Sequence, residues 1–297
     1  MKKALMIGST VADIMIYVDH LPSVEEDVEP TGQTMSIGGC CFNVSNMLSF
    51  FQVPYTLFSP VGSGIYGAFI LEELKKRGIE PALTRSDANG CCYCIVDKNG
   101  NRSFLAVHGA EYLFEKEWFD ALDVSEYTDV YICGLEIEDK TGDVIVDFIK
   151  RNPQLNVYIG PSARILHIPD PLMNDLLNCS PILHLNREEA SMYLRSTGKL
   201  EEADPNVMEL CHRLYERTKN TVFLTDGEKG AYAFDGKKDY WVAGFPANAI
   251  DGTGAGDSHI GTLMALRMLG YSLETAMRIA AFVSARIVSQ SGALLND

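Results

Sequence analysis

No stretch of the 297 residues is apolar for long enough to cross a membrane or to serve as the hydrophobic segment of a signal peptide. Met1-Lys2-Lys3 is followed only by Ala4-Leu5-Met6-Ile7, and a cytoplasmic protein without a membrane partner is expected. Basic residues are scarce: 25 Lys and Arg stand against 40 Asp and Glu, a formal net charge of -15, with Glu25-Glu26-Asp27 as one acidic cluster. So acidic a surface repels phosphodiester backbones and speaks against non-specific binding to nucleic acid. An anionic ligand would need a local basic pocket. The eight cysteines carry no zinc signature, because no histidine or second cysteine pair follows Cys92-x-Cys94 at ligand spacing. Cys40-Cys41 and Cys91-Cys92 are neighbours in sequence, so on a strand they face opposite ways and suit neither one metal centre nor a disulfide between the two. Packed, reduced thiols are expected. The common nucleotide loops are missing as well. The glycine-rich stretch at 251–258 lacks the Lys and Ser or Thr that end a phosphate loop, and Gly252-x-Gly254-x-Gly256 lacks the second spacing of the dinucleotide fingerprint.

What that stretch does contain is unusual. Asp251-Gly252-Thr253-Gly254-Ala255-Gly256-Asp257-Ser258 sets three glycines and two carboxylates before Ile260, Leu263, Met264 and Met268, which recur at helical spacing. The glycines then finish a loop, and a helix begins near Gly256 or Asp257. The amides of Gly254, Ala255 and Gly256 would face an anion, helped by the helix dipole. A carboxylate at the mouth of such a site repels phosphate unless it has chemistry to do. Asp257 suits a general base that takes the proton from a hydroxyl attacking a bound phosphoryl group. On spacing alone, an ordinary glycine-rich helix start is the alternative.

At 297 residues and 46% hydrophobic content, the chain can bury one large α/β core with or without a small appendage. Strand-like runs at 5–8, 55–58, 131–133, 157–159, 182–185 and 222–225 alternate with helical stretches, and this pattern predicts a layered α/β domain. Asp13 stands between the runs 5–8 and 14–18, where an open sheet places ligands; it is a candidate acceptor for substrate hydroxyls or else a solvated turn acid. Gly38 and Gly39 precede a helix carrying Asn43, Val44, Met47 and Leu48, and they would let a small ligand lie on the backbone while Asn43 presents its amide. A structural turn accounts for them too. The runs 90–96 and 102–107 flank Asn99-Gly100, a hairpin signal. With 14–18 and 33–37 they would form a small second sheet that closes over a substrate and excludes water, or meets a second subunit. Cys91, Cys92, Tyr93, Cys94, Phe104 and Val107 are assigned to packing within it. Arg164 is read as a surface or pairing residue, with phosphate or substrate contact as the alternative. Asn186 caps the helix after the 182–185 run, and Glu189 on its first turn is either part of that cap or a holder of hydrated magnesium. Thr225 and Gly227 suit a nucleotide-phosphate site or a tight turn equally.

These residues, in this order, resemble the ribokinase-like sugar and nucleoside kinases, the PfkB carbohydrate kinase family. Asp251-x-x-Gly254-Ala255-Gly256-Asp257-Ser258 is the most specific motif, Gly38-Gly39-x-x-x-Asn43 the second and Asn186-x-x-Glu189 the third. The likeness runs from the first strand to Ser291-Gly292-Ala293. It implies an α/β, ribokinase-like layered fold with a central mostly parallel sheet and a small β-sheet lid. One kinase domain would span 1–297, with the lid built from segments at about 14–37 and 90–108. The implied activity is ATP-dependent transfer of the γ-phosphoryl group to a primary hydroxyl of a sugar or nucleoside, with Asp257 as base and the 254–256 backbone as anion hole. Asp13, Gly38, Gly39 and Asn43 match the sugar-binding set, and Asn186 and Glu189 the residues that organise Mg2+. Thr225, Gly227, Asp251, Ser291 and Gly292 fall on the ATP side, with Asp251 also beside a monovalent-cation region. The resemblance therefore implies ATP and Mg2+, allows activation by K+, and suggests a homodimer through the lid. Three departures stand out: Gly252 where Thr is frequent, His259 where an aromatic is common, and Cys40 where ribokinases carry Lys. The last counts against ribose. Phe42 and His259 are read either as pocket residues or as packing. A hydrolase using the acidic loop and a non-catalytic sugar or nucleotide sensor are the competing readings.

Overall fold

The computed structural model describes residues 2–162, 164–290 and 292–295. Eight strands and two helices make the first third: β1 (Lys3–Ile7), β2 (Val11–Tyr17), β3 (Gly32–Gly38), α1 (Cys40–Phe50), β4 (Tyr55–Phe58), β5 (Pro60–Ser63), α2 (Gly64–Lys76), β6 (Leu83–Ala88), β7 (Cys91–Val96) and β8 (Arg102–Val107). Next come α3 (Lys116–Asp120), β9 (Tyr127–Cys133), α4 (Gly134–Glu138), α5 (Gly142–Arg151), β10 (Asn156–Gly160), α6 (Asp170–Asn178), β11 (Ile182–Asn186), α7 (Arg187–Ser196) and α8 (Val207–Thr218). The chain continues through β12 (Val222–Thr225), β13 (Ala231–Phe234), β14 (Asp239–Val242), α9 (Ala255–Met268) and α10 (Leu273–Val288).

The large sheet has the order β14-β13-β12-β11-β10-β9-β1-β4. From β4 to β12 every neighbouring pair is parallel, and β13 and β14 turn back antiparallel. Parallel strands joined by helical crossovers are covered on both faces, which is why β1 reads as an unbroken apolar run. Its side chains alternate between two cores. Leu5 and Ile7 join Val130, Ile132 and Ile159 against Phe148, Leu176 and Leu210 of α5, α6 and α8. Ala4 and Met6 join Tyr131 against Val44, Ile70 and Met264 of α1, α2 and α9. Helix α10 lies on α9 and adds Ala276, Met277 and Ala280 beside Leu263 and Leu266. The result is an α/β/α layering around a mostly parallel sheet. Among the described residues, no helix is long and apolar enough to cross a membrane.

A second sheet, β3-β2-β7-β8, stands off this body. Strand β2 pairs antiparallel with β3 and parallel with β7, and β8 folds back on β7 through the Asn99-Gly100 turn. The chain passes into and out of it near residues 9, 39, 90 and 109. Two of these passages are clamped by one buried carboxylate, since Glu111 accepts bonds from the amides of Gly90 at 2.7 Å and Gly109 at 3.0 Å.

Several sequence expectations change here. Strand β2 begins at Val11, so Asp13 is a strand residue paired with Ser36 and Cys92 and not a turn acid. Beyond the strand runs of the sequence, β5 forms a small parallel pair with β6, and α2 starts at Gly64. Phe104 and Val107 are 58% and 53% exposed, so they do not pack within the sheet, because β8 is an edge strand beyond the helices' reach. All eight cysteines are free, five of them buried.

Candidate active site

The parallel strands β1, β9, β11 and β12 all end at one edge of the large sheet, the edge where open α/β sheets collect ligands. Helix α9 begins there. Gly254 is its N-cap residue, held at φ 75, and a Cβ on it would lie 2.6 Å from the Cβ of Ala293. Glycine is therefore required on two counts, a left-handed backbone and a close approach. The amides of Gly254, Gly256 and Asp257 have no acceptor among the described residues, whereas the Ala255 amide makes a long 3.3 Å bond to the Gly252 carbonyl. Three N–H groups at the positive end of a 14-residue helix make a cradle for an anion.

Asp257 lies in the first turn of α9, and the Asn43 amide on α1 donates to its Oδ2 at 2.9 Å. Its carboxyl sits deep in the cleft although the residue keeps partial access to solvent. Burial pushes its pKa up to about 6, while the bonds from Asn43 and the Cys40 thiol hold it down. Asp13 faces it from β2. Burial, and then the negative charge of Asp257, raise Asp13 to about 7, and no group among the described residues donates a hydrogen bond to it. Gly38 closes that wall: a Cβ there would come within 1.9 Å of Asp13 Oδ2. Gly39 follows as the N-cap residue of α1 and accepts the Asn43 amide at 2.9 Å. The fold thus brings Asp13, Gly38, Gly39, Asn43 and Asp257 together.

Four neighbours went unnoticed in the sequence. Glu136, on α4 just past the end of β9, accepts the Ser9 amide on Oε1 at 2.7 Å, while its buried Oε2 has no partner. Burial raises its pKa. Cys133 ends β9 and its thiol bonds that of Cys40, both thiols being raised in pKa. Tyr112 stacks on His108 with ring centroids 3.9 Å apart. Arg102, on β8, reaches across the cleft to Asp251 and Thr253. An acid shortly after a strand end was the available signal for Glu136. For Arg102 the signal was its parity with Phe104 and Cys94 on the hairpin.

On the other side of the anion cradle, Asn186 and Glu189 form a reciprocal capping box. Asn186 Oδ1 accepts the Glu189 amide at 2.8 Å and Glu189 Oε2 accepts the Asn186 amide at 2.9 Å. The second Glu189 oxygen has no partner among the described residues, and the pKa of Glu189 is raised by burial and by the charge of Asp257, so it shares the cleft with the candidate base. Thr225 ends β12, and Gly227 turns the chain at φ 53 just after it. Asp251 is buried, at 3% exposure, and takes bonds from the Thr253 amide at 2.7 Å on Oδ1 and the Gly292 amide at 3.0 Å on Oδ2. Burial alone would raise its pKa, but Arg102 and these amides outweigh burial and hold it below the usual range. Ser291 lies outside the described residues. Among them, no group of three or more His, Cys, Asp or Glu side chains could hold a metal ion by itself.

The open alternatives resolve toward packing. His259 is buried and bonded to His184 of β11 at 2.9 Å. Phe42 is 1% exposed in the α1 core. Arg164 pairs with Glu138 at 2.6 Å.

A family model described as pfkB family carbohydrate kinase matches residues 1–296. The chain is 25% identical over 292 residues to the uncharacterized sugar kinase YegV of Escherichia coli (strain K12), covering 98% of this chain and 90% of that protein. It is 23% identical over 291 residues to a deoxyribokinase of Salmonella typhi, covering 97% and 92%. In structure it is similar to a ribokinase of Thermotoga maritima, with a TM-score of 0.85 at 21% identity over 99% of this chain and 95% of that one. A Burkholderia thailandensis nucleoside kinase in complex with inosine gives 0.80 at 17% identity over 98% and 91%. At such identities the structural likeness speaks for the fold alone.

Proposed function

The chain belongs to the pfkB family of carbohydrate kinases, and from that membership we propose that it transfers the γ-phosphoryl group of ATP to a primary hydroxyl of a sugar or nucleoside. The observation that supports the acceptor class is a surplus of hydrogen-bond acceptors around the candidate base. Among the described residues, Asp13, Glu136 Oε2 and Asn43 Oδ1 have no hydrogen-bond partner, and no lysine or arginine pairs with Asp13 or Glu136 to receive a negative group. Buried acceptors demand donors. An uncharged ligand bearing several hydroxyls satisfies them, whereas a phosphorylated or carboxylated acceptor would add charge to three carboxyls.

In this reading the acceptor hydroxyl rests against Asp257. As its oxygen attacks the γ-phosphorus, the proton passes to the Asp257 carboxylate, the new O–P bond forms, the bond to the β-phosphate oxygen breaks, and ADP leaves. With a pKa of about 6, the base is mostly ionised at neutral pH while remaining basic enough to take the proton. The free amides of Gly254, Gly256 and Asp257 face the charge on the transferring group, and Ala255 contributes the backbone turn that aims them. In this reading Thr225, Gly227 and Gly292 lie on the nucleotide side. Glu189, through its free oxygen, and Asn186 would hold Mg2+ by way of water; bound there the ion would neutralise phosphate charge. Asp13, Gly38, Gly39 and Asn43 orient the acceptor. The β2-β3-β7-β8 sheet acts as a lid that excludes water, and its exposed side joins two copies into a dimer.

The test is ATP turnover with mass spectrometry of products over a mixed panel of sugars and nucleosides in the presence of Mg2+. A phosphorylated acceptor is expected, and Asp257→Asn should lower turnover by at least ~10²-fold with nucleotide binding retained. Phosphate release without a phosphorylated acceptor would replace the reading with a hydrolase. Ligand-dependent thermal shifts without turnover would replace it with a sensor.

A further inference from the structure

Arg102 is the link between the two sheets at the site. Among the described residues, every side-chain hydrogen bond joining the small sheet to the 251–258 loop comes from its guanidinium, whose Nη1 donates to both Asp251 Oδ1 and Thr253 Oγ1. The ion pair is well sheltered, with side-chain exposures of 16% for Arg102 and 3% for Asp251. Asp251 is in turn the hub of the loop. It ties the Thr253 amide to the segment at Gly292, and the neighbouring Ala293 is the surface on which Gly254 rests. Here a positive charge, added to the two amides, holds this buried carboxylate ionised.

The family likeness allowed a monovalent cation for this place. The residues do not fit one: Asp251 Oδ1 and Thr253 Oγ1 both bond one guanidinium nitrogen, and Asp251 Oδ2 accepts the Gly292 amide, so the carboxylate keeps no free oxygen for a cation. A second cation beside the guanidinium would be repelled. We propose that Arg102 supplies the positive charge that holds the anion loop in shape, in place of a monovalent cation. Arg102 is thus a positioning residue: acting through Asp251, it sets the amides of Gly254, Gly256 and Asp257. Because it is carried by the small sheet, the cradle takes its shape only when that sheet is seated. The consequence for turnover rests on the kinase reading above; the consequence for cation binding does not.

The experiment compares the wild-type protein with Arg102→Met and Arg102→Lys in KCl and in choline chloride at equal ionic strength, following thermal unfolding and, with the acceptor identified, steady-state kinetics. Wild-type Tm and turnover should be the same in both salts. Arg102→Met should unfold at a higher temperature in KCl than in choline chloride and lose about 10-fold or more in kcat with a much smaller change in acceptor KM, because misplaced amides weaken the transition state more than the ground state. Millimolar guanidinium chloride should restore part of that loss. Arg102→Lys, which keeps the charge and guards against a variant that fails to fold, should stay insensitive to potassium. A wild-type protein stabilised or activated by KCl over choline chloride would overturn the proposal. So would a folded Arg102→Met with unchanged kcat and no response to either added cation. Both thermal arms are read without turnover, so they stand or fall separately from the kinase assignment.

Discussion

Asp257 is a carboxyl taken out of water and only partly compensated. Burial lifts its pKa to about 6, and the bonds from Asn43 and Cys40 work in the other direction by favouring the ionised form. A general base acts when unprotonated, so kcat/KM should fall as the pH drops through about 6, with Asp13, at about 7, taking up a proton first. The two carboxyls titrate as a pair. Removing the donor in Asn43→Leu takes away a bond that favours the charged base, so the acid limb should move to higher pH by about one unit. A pH–rate profile in which that limb stays put or moves downward would show that Asn43 does not tune Asp257. The glycine context singled out Asp257 in the sequence. Its partner, 214 residues away, could be named as a site residue but not as the group that sets the base's pKa.

At the scale of elements, the loop before α9 is where local sequence and site chemistry coincide. Gly254 needs both a positive φ and the absence of a Cβ, since Ala293 closes on it from the C-terminal segment. In Gly254→Ala the helix should persist, because α9 is buried along Ile260, Leu263 and Met264, while the first amides shift. Turnover should drop by about 10²-fold, the scale of a lost oxyanion donor, with circular dichroism unchanged. Unaltered kinetics would mean that the cradle is not used. The capping box of α7 was equally readable, being a matter of residues three apart. His259 was not, since whether a histidine meets a ligand or His184 depends on which strand α9 packs against.

At the scale of the whole molecule, four short passages join the small four-stranded sheet to the body, and that sheet has one side that no helix covers completely. Met35 and Leu105 share a cross-strand row with Ile14 and Tyr93, yet they are 46% and 59% exposed because α2 reaches only the middle strands. Val107 extends the same face at 53%. A patch of this kind on a sheet edge calls for a cover, and a second copy of the chain offers an identical one. Sedimentation at micromolar concentration should show a dimer for the wild type and a monomer for Leu105→Asp, the added charge being tolerated in a folded monomer because the position is exposed. A monomeric wild type would remove the dimer from the account.

Period and punctuation were enough to establish the layered α/β class, the hairpin at Asn99-Gly100 and the glycine loop that opens α9, and to single out Asp257, Asn43 and Glu189 as residues of interest, because these depend on neighbours a few positions apart. Everything that depends on which distant segments meet was decided by the tertiary structure. Asp13 became a strand residue facing Asp257 only once β2 had paired with β3 and β7. Glu136 came under Ser9 only because β1 and β9 lie side by side. Arg102 looked like the opening residue of a hairpin strand until the small sheet was seated over the loop and its charge fell on a buried aspartate. Local spacing specifies backbone conformation; the matching of buried charge to buried charge exists only after the chain has folded.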